Sequence, residues 1–150
     1  MNDVQTVLPN DLVDQLRKDR LVLLGTIDAT TGEPCSNAIS WLYAVDERTL
    51  RFALDQRSRL MASIEANPQV VVTMFAASSV YAISGNASVA VETLEDVPIK
   101  LVCYDIAVTS VQDAMFYGAR IAVQPEFEKT YDRRAAAKLD GQVYAAMKKA

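Results

Sequence analysis

The pentapeptide Asp55-Gln56-Arg57-Ser58-Arg59 holds the most suggestive group of anion-binding side chains in the sequence. It stands where an apolar run, TLRFAL, gives way to a helical pattern that ends at Asn67-Pro68. Guanidinium groups at a helix start meet the positive end of the macrodipole, which favours anions over cations. Two readings resolve the conflict. In one, Arg57 and Arg59 are solvated or pair with Asp55 and Glu65, as exposed arginines commonly do. In the other, a phosphate lies between them. Ser58 would donate its hydroxyl, Arg59 would fork onto two oxygens, and N–H groups of the first helical turn would complete the cradle. A phosphate monoester carries roughly -1.5 to -2 charge near neutral pH, which offsets the poor placement of the arginines.

Two further stretches carry side chains suited to a ligand. In AISWLY, Ala38 to Tyr43, the residues Ser40 and Tyr43 flank the only tryptophan, Trp41. Together they can line a flat aromatic ligand beside strand amides, although a lone tryptophan serves core or interface packing equally well. In MFYGAR, Met115 to Arg120, two aromatics, a glycine and an arginine follow a strand. They suit a lid, but a packed corner leading into the last helix is the simpler expectation.

Composition removes whole classes of chemistry. The chain has no histidine, and its two cysteines, Cys35 and Cys103, lack CxxC spacing. Ser-His-Asp and Cys-His catalysis, a structural zinc site and proximal-histidine haem are therefore excluded. Redox chemistry would need an organic cofactor. Both cysteines read as buried small hydrophobes in a reducing cytoplasm rather than as a disulfide. A net charge of -4 and a pI of about 4.8 argue against nucleic-acid or anionic-membrane partners. No apolar stretch reaches the ~18 residues of a membrane span, and the N-terminus lacks a secretory pattern, so a cytoplasmic protein is expected.

The elements that must position these residues follow from periodicity. The 150 residues, 51% of them hydrophobic, predict one domain. A short helix is predicted at about 9–18, with Asn10 as N-cap and Leu12, Val13 and Leu16 on its apolar face. Strands follow at 21–28, 35–45 and TLRFAL, joined by short polar turns. A helix of about ten residues buries Leu60, Met61 and Ile64 and ends at Pro68. The run 69–76 reads as a buried strand, and 79–92 as one long strand bent at Gly85-Asn86. The last strand covers 101–111, and a final helix covers about 133–148 with Asp132 as N-cap and Leu139, Val143 and Met147 inward. About six antiparallel strands with few helices predict a mainly β fold, a small β-barrel over about 21–111 with peripheral helices. Its own side chains fill a barrel of this size, so a ligand must bind on a face or between subunits.

This order of elements resembles the FMN-binding split barrels of the pyridoxamine 5'-phosphate oxidase-like family. The residues that carry the resemblance are LVLLGTID, AISWLY, TLRFALDQRSRLMASIEANPQVVVTMF and SVYAISGNASVAVE. The tail AMFYGARIAVQPEFEKTYD resembles a bacterial subgroup often left functionally unassigned. The resemblance implies a homodimer with an FMN at each subunit interface and a small-molecule substrate. Carried over by position, Ile39, Ser40, Trp41 and Leu42 would run beside the isoalloxazine and ribityl chain, with Ala53 and Leu54 touching the flavin. Ser58 and Arg59 would hold the phosphate, helped by Arg57. Val80 or Tyr81 would approach from the partner, and Phe116 or Tyr117 would lie over the ring.

Two positions depart from the family pattern. Leu54 stands where threonine is usual, and Leu60 where a lysine usually follows the arginine. Residues that would hold the phosphate of a vitamin B6 substrate are not matched, so oxidation of that vitamin is not implied. The reading is an FMN-binding oxidoreductase that passes electrons to a small acceptor. No acid–base residue is assigned; Tyr43, Tyr81 and Tyr117 are the nearest proton donors. The alternatives are a dimeric binding module with weak or lost FMN binding, and a deazaflavin-using relative.

Overall fold

The structure, a computed structural model, describes residues 4–150. One seven-stranded antiparallel sheet forms the body, in the order β2-β1-β5-β6-β7-β4-β3. Its strands are β1 (Val22–Ile27), β2 (Pro34–Ile39), β3 (Leu42–Ala44), β4 (Thr49–Asp55), β5 (Gln69–Ala76), β6 (Ser79–Val91) and β7 (Leu101–Asp113). The edge strands β2 and β3 are neighbours in sequence, separated only by Ser40 and Trp41. Flat, seven strands would hold these edges roughly 29 Å apart, six spacings of about 4.8 Å. The three steps from Ile39 to Leu42 span about 11 Å at most. The sheet must therefore curl until its edges nearly meet, which gives the split barrel.

This junction is where expectation and structure part. The run 35–45 is two strands broken at Ser40–Trp41, so the strand count is seven rather than about six. The long strand 79–92 is continuous as expected, and its register against β7 shifts between Ser84 and Gly85. Glycine is required there: a Cβ on Gly85 would lie 2.4 Å from the Ala107 carbonyl oxygen.

Helix α1 (Asn10–Gln15) is shorter than expected. Its N-cap is Pro9, without a side-chain cap bond, so Asn10 opens the helix instead of capping it. Leu12, Val13 and Leu16 are buried as expected. Helix α2 (Leu60–Ala66) buries Ile64, while Leu60 and Met61 pack half-buried against the barrel core. Inside the barrel, Leu24, Phe52, Met74, Ile83 and Ile106 are fully buried, and Phe52 stacks on Tyr104 at 5.2 Å.

Helix α3 (Arg133–Lys149) starts at the expected cap, Asp132, whose carboxylate accepts from Ala135 N. It lies outside the barrel over β3, β4 and β7. There Val143, Ala146 and Met147 form a second core with Tyr43, Ala53, Leu101 and Cys103. Leu139 joins that core half-buried.

Cys103 is buried as expected, and burial pushes its thiol up to about 11. Cys35 is only half-buried, because it sits on edge strand β2, and both cysteines are free. Among the described residues, no helix is long and apolar enough to cross a membrane.

Candidate functional site

Two pieces of chain meet where the barrel closes. The first is the junction. Ala53 N donates to Trp41 O at 3.0 Å, which continues the β3–β4 ladder, and Leu42 N turns back to Ser40 O at 2.9 Å. Trp41 and Ala53 face α3 in the second core, whereas Ile39 and Leu54 point into the barrel. Leu42 is buried and Ser40 half-exposed. The side chains of this stretch are thus mostly committed to packing, and a ligand here would meet main chain and Ser40.

The second piece is the loop that follows β4. Arg57 is fully engaged with Asp55: Nε donates to Oδ1 at 3.1 Å and Nη2 to Oδ2 at 2.9 Å, with Arg57 N on Oδ1 at 2.8 Å. These bonds hold the Asp55 carboxyl at about 2. Arg59 is different. Both side chains are about equally exposed, 89% for Arg59 and 90% for Arg57, but among the described residues Arg59 has only a long contact of 3.5 Å from Nη2 to Asp28 Oδ2. The pairing of Arg57 with Asp55 is as one reading held; Arg59 meets Asp28 rather than Glu65.

Asp28 was not singled out in the sequence. Its carboxylate closes the β1–β2 turn by accepting from Thr30 N and Thr31 N at 2.8 and 2.9 Å, and those bonds lower its pKa. The aspartate at the head of a Thr-Thr-Gly turn was the available signal.

The helix start contributes less than a cradle would need. Leu60 N already donates to Ser58 Oγ at 3.2 Å, and Met61 N to Ser58 O at 3.3 Å. The side-chain donors that remain for an anion are the Arg59 guanidinium and the hydroxyl proton of Ser58. Leu60 packs half-buried against the core and Leu54 is buried, so both departures from the family pattern serve the fold. Ser58 follows Ala53 by five residues, which puts it within about 17 Å of the strand pair beside Trp41.

The remaining candidates lie apart from this loop. Tyr81 packs half-buried against the barrel core, and Val80 alternates to the outer face. Phe116 and Tyr117 are 72% and 103% exposed, so the packed corner expected for 115–120 does not form. Among the described residues nothing covers them. The segment 114–132 has no helix or strand; it is tied down by Ala114 N to Val80 O, by Ile121 N to Ser78 O, and by Lys129 on Asp140.

The outer face of β2, β1, β5 and the first half of β6 has a distinct character. By register, Ser36, Gly25, Val71 and Ser84 lie in one row, and Ala38, Leu23, Thr73 and Ala82 in the next. None is charged. A cavity of about 550 Å³ opens in this face, lined by Gly25, Ser36, Val71 and Ser84 among others.

A family model described as pyridoxamine 5'-phosphate oxidase matches residues 8–105. Several solved structures share the fold. A candidate pyridoxamine 5'-phosphate oxidase from Lactobacillus delbrueckii superposes with a TM-score of 0.61 at 14% identity, covering 71% of this chain and 94% of its own. HupZ from Group A Streptococcus gives 0.61 at 14% identity over 77% and 99%. An F420 reductase gives 0.58 at 18% identity over 69% and 98%. No curated protein matches the chain. The matched segment holds the junction and the Arg59 loop; segment 114–132 and α3 lie beyond it.

Proposed function

The chain belongs to the pyridoxamine 5'-phosphate oxidase family, and from that membership we propose that it is a homodimeric, cytoplasmic FMN-binding oxidoreductase acting on a small molecule. The observation that carries the reading is the Arg59 loop. Of two equally exposed arginines, one is forked onto Asp55 and the other makes only a 3.5 Å contact, beside a serine with a hydroxyl proton to give. That donor set fits a phosphate. Arg59 and Ser58 would hold it, and Asp28 would yield its long contact with Arg59 to the more strongly charged group. The main chain at Ser40 and Trp41 would flank the ring, with both carbonyls already engaged by Leu42, Tyr144 and Ala53. Phe116 or Tyr117 would lie over the ring. FMN, when bound, supplies hydride and electron exchange between a reductant and an acceptor.

Two other readings have specific support. Leu60 brings no cation to the loop, which favours a binding module with weak flavin affinity. The fold shared with an F420 reductase favours a deazaflavin as the alternative cofactor. Purification without added cofactor, a visible spectrum, and mass identification of any chromophore released on denaturation separate the three. FMN near one per chain is expected. A colourless protein with no micromolar affinity for added FMN would overturn the proposal in favour of the binding module, and a released deazaflavin would replace the cofactor.

A further inference from the structure

The two residues that close the barrel are both held by one helix that lies beyond the family match. Tyr144 OH donates to the Ser40 carbonyl, and Trp41 Nε1 donates to Asp140 Oδ1 at 2.8 Å. Asp140 and Tyr144 are four residues apart on α3 and so share a face. Burial pushes the Tyr144 phenol up, which keeps it protonated and a donor. Lys129 Nζ approaches Asp140 at 3.3 Å and steadies it from segment 114–132. At its far end the same helix is fixed to β4, where Arg51 Nη1 donates to Met147 O at 2.9 Å and Ala150 O at 2.8 Å.

If α3 merely covered an apolar face, Val143, Ala146 and Met147 would suffice. Polar bonds aimed at both junction residues do something else: they fix a two-residue link at which regular strand pairing is interrupted. We propose that α3 clamps the barrel junction, with Asp140 and Tyr144 as positioning residues that set Ser40 and Trp41 for a bound flavin. The proposal rests on the flavin reading above.

Trp41 is the only tryptophan, so its fluorescence reports the junction alone. The test compares the flavin-free wild type with Tyr144→Phe, Asp140→Ala, Asp140→Asn and, as a control on an exposed α3 position, Lys138→Ala. Acrylamide quenching of Trp41 and FMN affinity by flavin-fluorescence titration are measured on each, with thermal unfolding to confirm the fold. Tyr144→Phe and Asp140→Ala are expected to raise quenching and weaken FMN binding about three- to tenfold, the scale of one lost hydrogen bond. Asp140→Asn keeps an acceptor for the indole and is expected to restore much of both. Quenching and affinity equal to wild type in Tyr144→Phe and Asp140→Ala would overturn the clamp. If Asp140→Ala does not fold, Tyr144→Phe decides, since it removes a single hydroxyl. A wild type that takes no FMN would remove the flavin reading; quenching then decides the clamp, raised in the variants if α3 holds the junction and unchanged if it does not.

Discussion

Arg57 and Arg59 are two residues apart, yet their surroundings differ enough to assign them different work. Arg57 makes a forked pair with Asp55, and a phosphate could recruit it only by breaking that fork. Arg59 gives up only a 3.5 Å contact. Arg59→Ala should therefore weaken FMN binding by about 1.5–3 kcal/mol, roughly ten- to a hundredfold, while Arg57→Ala should stay within about threefold. Flavin-fluorescence titration of the two variants decides it, and equal losses would mean that the fork opens on binding. The sequence displayed both arginines and could not rank them. Local spacing exposes an i, i+2 partner such as Asp55, but Asp28 reaches Arg59 from 31 residues away through the fold.

At the scale of elements, most of the barrel was legible because strand and helix periods differ. The long strand 79–92, the buried strand 69–76 and the Asp132-capped final helix all follow from pattern. The break at Ser40–Trp41 was not legible, since an apolar run looks the same whether or not the sheet must bend through it. Nor was the partner that holds the break, because Asp140 lies 99 residues from Trp41.

Two element-scale tests follow from contacts the sequence hid. Arg51 joins β4, β7 and α3: it pairs with Asp105 at 2.6 Å and caps the last carbonyls of α3, where a cation suits the helix dipole. Its side chain is 12% exposed, so Arg51→Met leaves Asp105 without its main partner and should cost about 2–4 kcal/mol. Denaturant unfolding measures this, and a change under about 0.5 kcal/mol would mean the pair is dispensable. The β5–β6 turn offers the opposite sign. Ala77 and Ser78 both hold positive φ, 51° and 61°, a geometry that side chains resist. Ser78→Gly should raise stability by roughly 1 kcal/mol in the same assay.

The whole molecule divides its outer sheet surface in two. Over β3, β4 and β7 the face carries Arg51 and Asp105 and is covered by α3. Over β2, β1, β5 and the start of β6 it is uncovered and without charge, in a chain whose residues are 23% charged. An antiparallel sheet facing water normally alternates apolar inward with polar or charged outward. Small uncharged residues in register instead suit contact with a like surface, and about four strands of six residues give roughly 400 Å² before side-chain relief is counted. A standard interface buries about 800 Å² per partner, so exposed Phe116 and Tyr117 would need to contribute. Ser84 lies in the row of Gly25, Ser36 and Val71, and an arginine there would put a charge into a contact between two copies of this face. Ser84→Arg should therefore shift the species seen by light scattering from twice the chain mass of 16.5 kDa to that mass itself. FMN affinity should fall with it if the partner completes the site. A wild type that is monomeric at micromolar concentration, or a Ser84→Arg variant that stays dimeric, would place the subunit contact elsewhere or remove it.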